Sequence, residues 1–349
     1  MSVGTRNQND AETLFHVQVR KWKFAAKAAC GIGSEFRRIW YGMNCLATDS
    51  SFFMRRPAYG SLPPKRHVVL EMVKNRKIVK KEKDMQNIFI EGIQGMGKST
   101  LLQAIAEMRP DLHVCREGDY SPVELAWCTW MTEAQYRTIW KKYQGIRKEI
   151  EDNTFREAEH FIVTYTKILT DIPGFHKDLE QYEIYNGRKS LAELEQIVRM
   201  RYRNFSGEGY VSECAFLQNI VEELILFQML GDDEIVAFYR RLYGEVRKEN
   251  FLLLYLYSDA PEETTRIIRK ERRDSQGKEM WYPLMLGYLT ESPYGRKHGY
   301  QGFEDMVAHF RHRQKLEQRI LKEVIGEQAV ILPARGWKIE EIKERICYR

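Results

Sequence analysis

Residues 91–100 read EGIQGMGKST, and within them Gly92-Ile93-Gln94-Gly95-Met96-Gly97-Lys98-Ser99 fits G-x-x-x-x-G-K-[ST]. In that pattern the backbone N–H groups of a tight loop point inward around phosphate oxygens, while a lysine and a hydroxyl complete the cradle. The flanks agree with it. Asn87-Ile88-Phe89-Ile90 is a short apolar run of strand type, and Leu101-Leu102-x-x-Ile105-Ala106 continues with apolar residues at helical spacing. Strand, glycine loop and helix N-terminus therefore follow one another in the order that anion binding needs, because the helix dipole and its unpaired N–H groups favour negative charge. The expected nucleotide contacts are Gly92, Gly95, Met96, Gly97 and Thr100 through the loop, with Lys98 on the β- and γ-phosphates and the Ser99 hydroxyl on Mg²⁺.

From residue 85 onward the remaining elements are legible. Further strands are expected at about 112–116, at Tyr210-Val211-Ser212-Glu213, at Phe251–Tyr257 and at Ala329–Leu332. Between them, helices are predicted for Glu133–Glu151, Phe155–Leu169, Ser190–Arg203 and Glu234–Arg247. Five short strands alternating with helices imply an α/β fold with a parallel five-stranded sheet covered on both faces, and a long helical insertion before the third strand. Residues 1–84 do not share this grammar. They lack a sustained period and carry 17 Lys+Arg against 7 Asp+Glu, with breaks at Arg56-Pro57 and Pro63-Pro64. This basic N-terminal extension is expected to be poorly ordered and dispensable, or to reflect a misassigned start, with 85–349 as the working domain.

The charge balance narrows the partners. Although the chain is +6 overall, residues 85–349 hold 38 Lys+Arg against 42 Asp+Glu, so the body is mildly acidic. A long groove tracking a nucleic acid is not expected from such a body, since that binding rests on Lys/Arg–phosphate contacts. The longest apolar run, Phe251–Tyr257, is far too short to span a bilayer. Six cysteines form no C-x-x-C pair, so neither a zinc site nor a disulfide framework is indicated and a reducing cytoplasm is the expected setting.

Phosphoryl transfer needs an acid near the acceptor, a metal-side carboxylate and mobile cations around the cradle. Glu117 and Asp119 follow the second strand, at the edge of an open sheet where ligands bind, and either is a candidate base. Glu213 ends the third strand, where bound magnesium would offset the cost of burying a carboxylate; a salt bridge at the sheet edge is the alternative. Arg266, Arg269 and Arg273, spaced three and four apart after Asp259-Ala260-Pro261-Glu262, share one helix face. They read as a lid over about 260–282 with Lys270 and Arg272 as substitutes, or as a solvated basic stripe. Ser121-Pro122-Val123-Glu124 fits a capping box, which gives Glu124 a structural role. Trp127 is assigned either to the core or to the flank of an aromatic acceptor.

GIQGMGKST, REGDYSPVELAW at 116–127, VSECAFLQN at 211–219, LYSDAPEETTRIIRKERR at 256–273 and the closing AVILPARGWKIEEI together resemble the thymidylate kinase and deoxynucleoside kinase group of P-loop kinases. The resemblance implies the P-loop NTPase three-layer sandwich. It favours Glu117 as the base, and it implies that the Arg335 loop contacts the donor's base, with a plain strand-to-helix turn at Pro333–Trp337 as the alternative. Ser212-Glu213-Cys214 departs from it, lacking the arginine that many members carry beside the acid. The function it implies is transfer of the γ-phosphoryl of ATP to a small acceptor, a nucleoside or nucleotide above all, with Mg²⁺ as cofactor. A P-loop ATPase and a non-catalytic nucleotide-binding module are the alternatives, and a homodimer stays open.

Overall fold

The computed structural model describes residues 85–274 and 276–347, so the expectations for residues 1–84 lie outside the described residues. Five strands form one sheet: β1 (Asn87–Glu91), β2 (His113–Cys115), β6 (Tyr210–Glu213), β7 (Phe251–Tyr257) and β8 (Ala329–Pro333). Their order across the sheet is β2-β6-β1-β7-β8, and every pairing is parallel. Every residue of β1 is buried, so both faces of the sheet are covered, as a continuous apolar run in a parallel strand requires. In chain order the helices are α1 (Lys98–Met108), α2 (Glu133–Lys142), α3 (Arg147–Asp152), α4 (Phe175–Glu180), α5 (Leu191–Asn204), α6 (Gln218–Leu226), α7 (Asp232–Tyr243), α8 (Pro261–Glu271), α9 (Trp281–Glu291), α10 (Pro293–His298), α11 (Phe303–Ile320) and α12 (Ile339–Cys347).

Central β1 has β6 on one side and β7 on the other; the connection from β1 leads towards the β2 edge, and the connection from β6 leads past β1 the opposite way to β7. The crevice above the carboxyl ends of β1, β6 and β7 is thus the switch point at which open α/β sheets bind ligands. Glu91 fixes this crevice from below. Its buried carboxylate accepts from the Phe216 N–H (2.6 Å) and the Gln218 N–H (3.0 Å), tying the end of β1 to the start of α6. Burial outweighs those hydrogen bonds and raises the Glu91 pKa to about 7.

The insertion between β2 and β6 differs from the expected run of helices. Phe155–Leu169 is not a helix: β4 (Thr154–Glu157) and β5 (His160–Val163) form an antiparallel hairpin, and β3 (Met131–Thr132) pairs with β5. Thr154, Phe155, Phe161, Ile162 and Val163 are β-branched or aromatic, and Ala158 takes φ 49° in the turn. Phe155 and Ile162 oppose each other across the hairpin and so share one face of it, the same relation that helical spacing gives them in the sequence. The predicted Glu133–Glu151 helix is divided into α2 and α3 by a turn at Gln144–Ile146. A small core of its own, including Met131, Ile139, Ile150, Val163 and Phe175, holds this region together. It is fastened to the main body by a buried Arg201 on α5, which donates to Glu157 and to the Ser121 carbonyl.

Candidate active site

The phosphate loop leaves β1 at Gly92, whose φ of 137° and approach to the Leu256 carbonyl, 2.5 Å from where a Cβ would stand, admit only glycine. Met96 sends its side chain into the core, which leaves its backbone to the loop. Gly97, in the left-handed conformation, starts α1 without a side-chain cap, and no acid lies in the first turn. The first-turn N–H groups are therefore open to an anion rather than satisfied from within. The Lys98 amine lies folded across the loop, donating to the Gly92 carbonyl (2.8 Å) and the Ile93 carbonyl (3.0 Å). Thr100 is exposed beyond it.

Ser99 Oγ donates to Glu213 Oε2 at 2.7 Å. The two residues assigned to the metal from sequence are thus brought together from positions 114 apart, because Glu213 pairs in register with Ile90 at the end of β1. Burial raises the Glu213 pKa, with the Ser99 hydrogen bond and the Lys98 and Arg116 charges opposing it and the Glu117 charge adding to it. The next residue, Cys214, holds φ 59°, a conformation that non-glycine residues rarely adopt. Its N–H is bonded to the Ile90 carbonyl (3.1 Å), so the strained turn fixes where Glu213 ends.

The two candidate bases have different surroundings. Asp119 closes its own turn by accepting from the Arg116 N–H (2.9 Å), and its carboxylate also pairs with Lys167 of the insertion. Glu117, only 8% exposed, borders a cleft and accepts from Gln218 Nε2 at 3.4 Å. The cleft opens between the phosphate loop, the insertion and α9. Its walls include Gln94 of the loop, Trp127, Tyr185, Asn186, Gln218 and Tyr288. Trp127 (φ 62°) and Asn186 (φ 63°) are both left-handed, so the lining is built with backbone strain on two sides.

Glu124 caps no helix. Ser121 Oγ accepts from the Val123 and Glu124 N–H groups (3.3 and 3.2 Å), but the chain then turns away and Glu124 is buried, accepting from the N–H groups of Leu125 (2.6 Å) and Ala126 (2.7 Å). Burial raises its pKa to about 8. Nor does Asp259 cap α8; Ala260 stands at that position, and Glu262 is paired with Arg311 (2.5 Å).

The helix α8 ends at Glu271, so Arg273 does not share the helix face expected for it but bridges to Glu279 in the turn beyond, and the arginines of α8 and that turn divide into two groups. Arg269 makes two bonds to Glu279 (3.1 and 2.9 Å) and lies over the Tyr282 ring, Arg273 joins the same carboxylate at 3.2 Å, and Arg266 lies over Phe303. These three fasten α8 to the segment that follows it. Arg272 instead senses Glu117 and Glu213: burial lowers its pKa to about 10 against the opposing pull of Glu117, Glu271 and Glu213. Arg335, exposed after β8, reaches Glu271 at 3.6 Å, and the Ala334 carbonyl just before it approaches Gly97.

A buried network missed in the sequence joins the loop to the cleft. Arg313, fully buried on α11, donates to Gln94 Oε1 (2.7 Å) and Glu222 Oε1 (2.7 Å) and pairs with Glu317 (2.8 Å). Gln94 Nε2 returns a bond to Glu222 at 2.9 Å, and His309 meets the other Glu222 oxygen at 2.8 Å. Burial works against ionisation of Glu222, but the Arg313 and His309 charges prevail and hold its pKa down to about 2. No local pattern announces these partners; the one available signal was a charged residue, Arg313, among the apolar positions of a core-facing helix. No family model matches the chain, and no curated protein matches it either.

Proposed function

We propose that this chain is a P-loop kinase that moves the γ-phosphoryl of ATP, with Mg²⁺, onto a small acceptor seated in the cleft beside Glu117. The single observation that carries this reading is the pairing of Ser99 with Glu213 at 2.7 Å beside Lys98, with the Glu117 cleft opening next to it. A hydroxyl and one carboxylate suit magnesium, which takes few protein ligands and completes its shell with water and phosphate oxygens. The absence of any group of three or more His, Cys, Asp or Glu side chains fit for a metal, among the described residues, is compatible with that mode. Magnesium held there would supply neutralising charge to the β- and γ-phosphates.

The chain's own residues do the rest. Loop N–H groups and the α1 N-terminus bind the phosphates, and Lys98 exchanges its two loop carbonyls for phosphate oxygens. Glu117 orients the acceptor hydroxyl and takes its proton, Asp119 holds the turn that carries Glu117, and Arg272 adds charge over the transferring group. Cys115, Cys128 and Cys214 are buried free thiols, which fits the cytoplasmic setting proposed from sequence. ADP release measured with Mg-ATP, with and without a panel of nucleosides, nucleotides and other hydroxyl compounds, tests the reading. Acceptor-dependent release is expected. Release that ignores the acceptor marks an ATPase, and no release marks a binding module.

A further inference from the structure

The cleft beside Glu117 has a definite chemical character. Of its thirteen lining residues four are glutamates, and none is Lys, Arg or His. The buried cation Arg313 lies behind the wall and is already bonded to Glu222 and Glu317. An acceptor that brought a phosphate into this space would set two negative charges against desolvated carboxylates, with no cation in the lining to receive them.

Gln218 points to what is welcome instead. This residue is 2% exposed, lines the cleft and donates through Nε2 to Glu117, while its buried Oε1 has no hydrogen-bond partner. A buried acceptor oxygen calls for a ligand that donates. Trp127, Tyr185 and Tyr288 add ring faces that suit a planar or cationic group.

Resting on the phosphotransfer reading, we infer that the acceptor is an unphosphorylated alcohol, neutral or cationic, which presents N–H or O–H donors to Gln218 and whose product is its first phosphomonoester. The acceptor oxygen forms a bond to the γ-phosphorus as the bond from that phosphorus to the β–γ bridging oxygen breaks. The hydroxyl proton passes to Glu117, and ADP leaves. The reaction class is thus alcohol to monophosphate, not monophosphate to diphosphate.

The test compares each nucleoside or amino alcohol with its own monophosphate, using the full chain and Mg-ATP and reading ADP release. Turnover is expected with unphosphorylated compounds, at least roughly tenfold above the matching monophosphates. Monophosphates that match or exceed their parents would overturn the inference while leaving phosphotransfer standing; release independent of any acceptor would overturn the transfer reading and this inference with it. In a second arm, Gln218→Leu should raise the acceptor KM about tenfold and leave the ATP KM unchanged, because it removes the donor-seeking oxygen from the cleft, while loss of the Nε2 bond to Glu117 is read separately in kcat. An unchanged acceptor KM in a variant that melts like the parent would also overturn it.

Discussion

The two sides of Glu117 are opposites. On one side the chain presents backbone N–H groups, Lys98 and Arg272, a setting built for anions; on the other it presents carboxylates, amides and aromatic rings around a cleft without a cation in its lining. The anion side is made largely of one contiguous stretch, Gly92–Ser99, and needs little more than glycine geometry and a helix end. Side chains from the loop, the insertion, α6 and α9 make the other side, held by Arg313 and Glu91 from beneath. On the proposed reading a transferable phosphoryl would be held on one side and a hydroxyl on the other, with Glu117 on the boundary between them.

The sharpest way to break this comparison is to alter the boundary itself. Glu117→Gln should lower kcat by about 10²–10⁴ with ATP affinity kept, whereas Asp119→Asn should leave kcat nearly intact. Asp119→Asn loses only the Lys167 pair and one turn contact, worth about 1 kcal/mol in urea unfolding. A reversed pattern in steady-state kinetics would move the base to Asp119. Next in size is the network under both sides. Arg313→Met strands the Glu222 and Glu317 carboxylates in the core and should cost about 3–5 kcal/mol of unfolding free energy. Adding Glu317→Leu should recover part of that loss, and a single variant within about 1 kcal/mol of the parent would show the network to be incidental.

The arginines of α8 sharpen the anion side. Arg272→Met is expected to depress kcat by about tenfold or more, while Arg269→Met, which only frees Glu279, should leave it within about threefold. Equal losses would return catalytic weight to the Arg269 stripe. The smallest effect is a pH dependence. Glu124 is raised from the usual carboxylate range to about 8, so the folded state keeps a proton that the unfolded chain releases. Its contribution to stability is full below about pH 4.5 and is lost as pH rises towards 8. Glu124→Gln keeps the two backbone bonds but not the ionisation, and should melt roughly 2–4 °C above the parent at pH 8 with little difference at pH 5. A shift of the same size at both pH values would point to packing instead.

Different parts of the molecule were legible in the sequence for different physical reasons. All five sheet strands were found, β1 and β7 because buried parallel strands are largely continuous apolar runs, with Phe251–Tyr257 leaving no other reading, whereas the edge strands β2 and β8 keep exposed residues. Ser99 was named from the loop pattern and Glu213 as the acid that ends a strand, and the sheet then sets the ends of β1 and β6 side by side. The Phe155–Val163 hairpin was missed because a short apolar segment satisfies both periods until its pairing partner is known. Ser121-Pro122-Val123-Glu124 has the letters of a capping box, but no apolar helical run follows it, and burial of Glu124 won instead. The cleft was beyond reach for a simpler reason: Gln94 meets Glu222 across 128 residues and Arg313 across 219, and no local pattern records such contacts. Arg272 was named only as a substitute, since helical spacing cannot say which arginine faces Glu117 and which faces Glu279.

The central claim is that the phosphoryl group crosses the Glu117 boundary from the anion side to an acceptor hydroxyl. Incubating the full chain with Mg²⁺, γ-labelled ATP and the acceptor panel, then separating the products, shows directly where the label goes. The account predicts label covalently bound to an acceptor alcohol, lost by more than about 10³-fold in Lys98→Ala while that variant melts like the parent. Label recovered only as inorganic phosphate, at a rate indifferent to the acceptor, would contradict it.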